Sequence, residues 1–363
     1  MGQSVGIGIV GVGVISEQYF SSIKRLPNLR LVAVADIDME RAHIVAAEQH
    51  CQALSVNQLM NDSRITYVLN LTTPQSHKEI IDLAVKAGKN VFTEKPLALT
   101  TTEILPAMKL ASEKGVHIGC APDTVLGTGI QTSKKVLDSG KIGEIVGASA
   151  FWSAPGHELW HPSPSFYYQP GAGPLYDMGP YYLSTLITLL GPIKEVIGSS
   201  TRSHRVRTIS TGPKKDQEIP VNVDTHINAI LYHENGLAST ITLSFEIWGT
   251  TSPLIEIFGT QGTLSIPDPN QFSEIPKIRT AGSSDWQEVQ VSAGYTNAGR
   301  GYGLSEMVAA ISQDRKPRLA ADLGYHVLEV FESILLSAKL KQVQKLKSTV
   351  SRMDLVPLSD HVN

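Results

Sequence analysis

Cysteine is scarce: Cys51 and Cys120 are the only two in 363 residues. Two thiols build neither a disulfide framework nor a cysteine metal cluster, and they suit a reducing cytoplasm. No run of about 18 apolar residues occurs, so no transmembrane helix is expected. The first twenty residues are apolar and glycine-rich but carry no basic leader, so no signal peptide is expected. Excess charge is also missing. Thirty-one Lys and Arg against 34 Asp and Glu leave a formal net charge of −3. That balance offers no basic field for nucleic acid or an anionic membrane. The one basic run, Arg202, His204, Arg205 and Arg207, reads as a solvated strand or loop. Internal repeats and low-complexity tracts are absent. What is present is length and apolar content, 42% hydrophobic, enough for two domains and a substantial core.

The chain opens on a buried strand, Val5 to Val10, which runs into Gly11-Val12-Gly13-Val14-Ile15-Ser16 and then a helical pattern. Glycine at 11 permits the tight turn, and glycine at 13 permits backbone to approach a pyrophosphate at the helix N-terminus. Ser16 takes the third small position, where Gly or Ala is usual. A second strand, Leu31 to Ala35, ends in Asp36, spaced as expected for the acid that binds an adenosine ribose. Such an acid accepts from a 2′-hydroxyl and repels a 2′-phosphate, which favours NAD over NADP. Asp36 is also a candidate helix N-cap, with Asp38 competing for that role. The strand Thr66 to Leu71 follows and breaks at Thr72-Thr73-Pro74, ahead of a helix containing His77. Strands at 90–93 and 116–120, with helices between, complete a doubly wound parallel sheet of expected extent 1–122.

The strand Asn90-Val91-Phe92-Thr93 ends in Glu94-Lys95-Pro96. Ligands of open α/β sheets bind at the carboxyl ends of strands. A lysine there can hydrogen-bond a substrate oxygen and supply positive charge as a proton leaves. It can equally be a surface lysine beside a turn. After Asp123 the pattern changes. A helix near 130–137 and a strand at 145–151 lead to alternating strands near 194–202, 225–233, 237–245, 254–258 and 263–266, then helices near 303–312 and 324–340. Residues 123–363 are expected to form an α+β domain on a large, mostly antiparallel sheet.

Nine of the 23 aromatic residues fall within 151–182, where an even spread would place about two. Trp152, Trp160 and Tyr168, with His157 and His161, suit a carbohydrate site, since aromatic faces stack on sugar C–H surfaces. The same residues could form the loop's own small core. His157-Glu158-Leu159-Trp160-His161 also spells a zinc-protease motif, but that chemistry needs both histidines on one helical face. Pro155-Gly156 before it and Pro162 after it oppose a helix, so neither helix nor metal is expected.

Gly11-Val12-Gly13, Thr73-Pro74 with His77, Glu94-Lys95-Pro96 and the run Gly171 to Gly179 around Asp177 together resemble the Gfo/Idh/MocA oxidoreductases. The resemblance covers nearly the whole chain. It implies a Rossmann domain followed by an α/β domain whose sheet often mediates dimers or tetramers. It implies NAD(P)-dependent oxidation or reduction of a sugar, polyol or related carbohydrate. It assigns Lys95 and Asp177 to catalysis. Gly11, Gly13, Val14, Ile15, Asp36, Thr72, Thr73, Pro74, His77, Glu94 and Lys95 are expected at the cofactor, and Lys95, Trp152, His157, Trp160, His161, Tyr168, Asp177 and Tyr181 at the substrate. Many members have histidine four residues after that Asp; here it is Tyr181. One helical turn separates 177 from 181, so both would face the same way. A phenol, with an ordinary pKa near 10, needs a nearby cation to act as a base, and Lys95 is the candidate. Packing alone is the other role open to Tyr181, and a loop histidine is the other proton acceptor. Redox-neutral chemistry on a retained NAD, and a non-catalytic sugar or dinucleotide sensor, are the competing functions.

Overall fold

The computed structural model describes residues 4–362. Six strands form the first sheet: β1 (Val5–Val10), β2 (Leu29–Ala35), β3 (Gln52–Ala53), β4 (Tyr67–Asn70), β5 (Asn90–Thr93) and β6 (Ile118–Cys120). Their order is β3-β2-β1-β4-β5-β6 and every pairing is parallel. The chain order reverses at β1, the switch point where such sheets bind ligands. The helices are α1 (Ser16–Ile23), α2 (Met39–Glu48), α3 (Val56–Asn61), α4 (Pro74–Lys86) and α5 (Thr101–Lys114). Helix α4 shows why they form. Its buried residues His77, Ile80, Ile81, Ala84 and Val85 recur at helical spacing, and Pro74 occupies the first turn, where its missing N–H costs nothing. Helix α5 starts in a capping box between Thr100 and Glu103 and stops at Gly115, whose φ is 66°.

Beyond α6 (Thr128–Asp138) the chain builds a nine-stranded sheet in the order β16-β15-β14-β13-β7-β12-β11-β8-β17. The strands are β7 (Ile145–Ser153), β8 (Ile193–Thr201), β11 (His226–His233), β12 (Ala238–Ser244), β13 (Ile255–Gly259), β14 (Gly262–Ile266), β15 (Lys277–Thr280), β16 (Gln287–Glu288) and β17 (Gln344–Lys345). The pair β7 and β12 is parallel and the rest are antiparallel. Strands β9 (Val206–Thr208) and β10 (Glu218–Pro220) form a separate ribbon. One face of the large sheet is buried, through Val196, Leu231, Ile241, Ala148 and Ile257. Helices α7 (Gly173–Asp177), α8 (Gly179–Leu190), α9 (Tyr302–Ser312) and α10 (Ala321–Leu340) complete the chain. Among the described residues, no helix is long and apolar enough to cross a membrane.

The chain divides into two compact units. The first runs to Thr128 and takes back Ala293–Leu328 and the chain from Asp354; the second holds Gly129–Ser292 and Glu329–Met353. The expected boundary at 122/123 falls close to the first crossing. The expected single domain over 123–363 does not describe the later chain, which returns to the first unit. Hydrogen bonds with β6 explain the return: Cys120 N donates to Leu319 O at 2.9 Å, and Gly119 bridges Ala320. A buried carboxylate adds to them. Asp123 Oδ2 accepts from the amides of Gly301 at 2.7 Å and Gly303 at 3.3 Å, while Arg300 Nη1 lies 4.0 Å from Oδ1.

Burial pushes the Asp123 carboxyl up to about 6, against the pull of Arg300 and with the help of Glu94. Its folded pKa therefore lies above its unfolded one, and between about pH 4 and 6 the folded state holds the extra proton. This contribution to stability is present below that window and is lost as pH rises through it. Denaturant unfolding of wild type and Asp123→Asn across the window checks the sign. The wild-type-minus-variant difference should fall as pH rises and then level off. A difference independent of pH would refute the assignment.

Candidate active site

In the first unit the turn after β1 is as tight as its sequence requires. Gly11 has φ of 92°, and a Cβ there would lie 2.7 Å from the carbonyl carbon of Leu71. At Gly13 a Cβ would meet nothing within 4 Å, so that position leaves the helix entrance open to a ligand. Val14 is 91% exposed beside it. Ile15 is the N-cap of α1. The serine at the third small position is buried, and its hydroxyl donates to Gly13 O at 2.7 Å.

Asp36 sits at the end of β2. Its Oδ2 accepts from Val12 N at 2.8 Å, and its Oδ1 from Asp38 N at 2.9 Å and Arg41 Nη2 at 2.6 Å. Burial raises its pKa, but Arg41 and the two amides outweigh this and hold the carboxyl below its ordinary value. The competition for the N-cap of α2 goes to Asp38, which accepts from Arg41 N. Asp36 is thus left facing a cavity of about 480 Å³, lined also by Gly11, Gly13, Arg41, Thr72 and Thr73. That volume lies within the range of small-molecule sites. Its place at the switch point, the open helix entrance and the ionised Asp36 fit the adenosine side of a dinucleotide.

The expected residues around Thr72 divide their tasks. Thr72 Oγ1 donates to Asn70 Oδ1 at 2.7 Å, and Asn70 Nδ2 donates to His77 O. Thr73 and Pro74 open α4. His77 is fully buried, with Nδ1 2.6 Å from Pro96 O and Nε2 3.0 Å from Thr72 O. Both ring nitrogens face backbone carbonyls, which makes His77 a brace between two strand-end loops. Asn70, which the strand pattern had absorbed, is part of the same brace.

Glu94 is buried, and its carboxylate is spent inside the protein. Oε1 accepts from Tyr19 Oη at 2.7 Å and lies 4.0 Å from Arg300 Nη1; Oε2 accepts from Lys95 N at 3.0 Å. Burial raises its pKa, yet Arg300, Lys95 and the Tyr19 hydroxyl together hold it below the ordinary value. The carboxylate accordingly fixes the backbone of Lys95 at the carboxyl end of β5. Tyr19 and Arg300 had no signal in sequence beyond their types, since their partner lies far along the chain.

In the second unit the aromatic segment is both core and surface. Tyr168 is fully buried among Ile209, Ile219, Val221 and Phe245, with Trp152 and Tyr167 packed against them. It is therefore not a surface for substrate. Its hydroxyl donates to Glu158 Oε2 and accepts from His157 N at 2.9 Å. Burial, with that carboxylate, pushes the Tyr168 phenol up. Trp160 is 58% exposed, and its ring lies 5.2 Å from that of His157 and 5.3 Å from that of His161. His161 Nδ1 accepts from Ser163 N at 3.0 Å. His157–Leu159 form one 3-10 turn, where no helix was expected. Among the described residues no group of three or more His, Cys, Asp or Glu is placed to hold a metal ion.

Asp177 and Tyr181 do not share a continuous helix, as their spacing suggested. Asp177 ends α7, Met178 joins, and α8 starts at Gly179. Pro180 has no N–H to donate back to α7, so the ladder lapses at Met178 and Pro180 sits in the first turn of α8. Tyr181 lies in the first turn of α8 and is 4% exposed; Tyr182 is fully buried. Asp177 Oδ2 lies 3.0 Å from His157 Nε2. Arg207, read as solvated, is buried between Glu158 at 2.5 Å and Glu246 at 2.8 Å. Alternation on β9 buries it while Val206 and Thr208 stay exposed.

Comparison with known proteins accords with this geometry. Residues 5–121 match the oxidoreductase family model of an NAD-binding Rossmann fold, and residues 130–265 match the GFO/IDH/MocA C-terminal domain. Trans-1,2-dihydrobenzene-1,2-diol dehydrogenase of Bos taurus is 27% identical over 72% of this chain and 74% of its own. Inositol 2-dehydrogenase of Pseudomonas fluorescens is 33% identical over 39% of this chain and 44% of its own. In fold, the chain resembles apo levoglucosan dehydrogenase, with a TM-score of 0.83 at 20% identity, over 96% of this chain and 100% of that one. Both parts of the sequence thus match the two domains of a single family, in order, and the chain belongs to the GFO/IDH/MocA oxidoreductases.

Proposed function

We propose that this protein is an NAD-dependent dehydrogenase of a sugar, a polyol or a related carbohydrate. One observation carries the reading: a buried carboxylate, Glu94, holds the backbone of Lys95 at the carboxyl end of β5, in the sheet whose switch point carries the Asp36 cavity. Bound NAD would accept hydride from the substrate carbon. Lys95 would bind and polarise the reacting oxygen, a task for a cation placed where negative charge develops. Tyr181 would take the hydroxyl proton, and Asp177 would orient the substrate. Exposed Trp160, with Trp152 and His161, would offer ring faces to sugar C–H surfaces. A spectrophotometric screen of NAD reduction over sugars, inositols and sugar acids tests the substrate class; no turnover of any of them would remove it.

We further propose that copies of the chain associate through the open face of the large sheet. Ile197 and Ile230 pair across β8 and β11 and are each 38% exposed; Phe258, on the same face, is 36% exposed. Light scattering should show a dimer or tetramer, and Ile230→Glu should lower the mass. A wild-type monomer rejects the proposal.

Asp36 should make kcat/KM higher with NAD than with NADP. Asp36→Ala should narrow the ratio, because the repelling carboxylate is gone. Arg41→Ala should widen it, because the cation able to meet a 2′-phosphate is gone. A wild-type preference for NADP would contradict the role given to Asp36.

Tyr181→Phe keeps the ring and removes the proton acceptor. Acid–base catalysis is typically worth ~10²–10⁴ in rate, so kcat should fall by about that factor with NAD affinity unchanged. Lys95→Ala should lose more, and the double variant little beyond Lys95→Ala alone, because both act on one proton. If Tyr181→Phe keeps wild-type kcat, the phenol is a packing group.

A further inference from the structure

Behind Asp177 a line of hydrogen bonds runs back into the second unit. Arg207 Nη1 donates to Glu158 Oε1 at 2.5 Å. The Tyr168 hydroxyl donates to the other oxygen of Glu158 and accepts from His157 N at 2.9 Å. The His157 ring then reaches Asp177 Oδ2 through Nε2, at 3.0 Å. Every member before Asp177 is less than a tenth exposed: Arg207 7%, Glu158 6%, Tyr168 0% and His157 5%. Arg207 is held by four further contacts: Glu246 at 2.8 Å, Phe245 O at 3.1 Å, Pro155 O at 3.2 Å, and the Tyr168 ring 5.3 Å from its guanidinium carbon.

Buried charges are costly to desolvate, and an apolar set of similar volume would close the loop as well or better. What such a set could not do is aim a carboxylate. The side chain of Asp177 is 19% exposed, against 6% for His157, so the line ends where the unit meets solvent.

The chemistry of the last link settles the histidine's part. A carboxylate only accepts, so Nε2 must carry the proton. Nδ1 is buried and has no hydrogen-bond partner among the described residues. Around the ring stand Tyr167 at 4.2 Å and Phe245 at 4.4 Å, centroid to centroid. A lone pair is tolerated there, whereas an N–H would be left buried and unpaired. We infer that His157 is a positioning residue and not the proton acceptor. It is an Nε2–H donor that aims Asp177, and Arg207, Glu158 and Tyr168 hold it in place. This rests on Asp177 acting at the substrate, as proposed above.

Two measurements test it. The first is ¹⁵N NMR of the imidazole rings in the wild-type protein, with His157→Gln used for assignment. His157 should show its proton on Nε2; a proton on Nδ1 overturns the inference. The second uses kinetics on a substrate found in the screen. His157→Phe should lower kcat about 10²-fold, the scale expected for a misplaced reacting group, with NAD affinity unchanged. His157→Gln, whose amide can still donate, should restore part of the loss, and His157→Phe should add nothing in an Asp177→Asn background. Wild-type kcat in His157→Phe, or an equal loss in both backgrounds, overturns the inference. If Asp177→Asn itself keeps wild-type kcat, the reading of Asp177 as a site residue fails, while the tautomer result still stands or falls by itself. Should His157→Phe fail to fold, the NMR result and His157→Gln decide.

Discussion

A carboxylate removed from water must find compensating charge or hydrogen bonds, and the first unit is arranged around one that does. Glu94 takes a hydroxyl from α1, an amide from the residue that follows it, and the field of Arg300 from the returning segment. These three partners belong to the nucleotide helix, the end of β5 and a stretch some two hundred positions later. Satisfying one buried charge thus ties together the dinucleotide turn, the backbone of Lys95 and the chain that comes back. Asp123 repeats the arrangement against the same Arg300 and is kept there by two backbone amides.

The second unit answers a similar constraint with different residues. Glu158 is buried and bonded by Arg207 and Tyr168, and through them the loop after β7 acquires a packed, hydrogen-bonded inner side. Its outer side exposes Trp160 and Phe166. A segment of that composition can be packed within and offer ring faces without, because indole, phenol and imidazole each have an apolar body and a polar edge. The packing role open to the loop is thus taken by its inner side.

Much of the fold was legible in the chain. The βα alternation, the turn at Gly11, the switch in pattern near Asp123 and the main strands of the large sheet all rest on local periodicity and turn chemistry. The short pieces were not legible: β3, β9, β10 and β15–β17 are two to four residues long, too short to show a period. The helix break ahead of Pro180 was written in the sequence, but the i to i+4 spacing of Asp177 and Tyr181 obscured it. Of the candidate site, the residue types at the strand ends were legible, and their partners were not.

By itself, the sequence determined the parallel sheet, the place of Lys95 at a strand end and the candidacy of Asp36, because each follows from neighbours within a few turns of chain. Only the tertiary structure decided that Arg207 is a buried ion-pair centre and not a solvated residue, that Tyr168 belongs to the core, and that His157 meets Asp177. It also decided that 293–328 returns to the first unit. The physical reason is common to all four. Burial and ion pairing are set by residues distant in sequence, and a charged or aromatic side chain looks the same on paper whether its partner is water or another part of the fold.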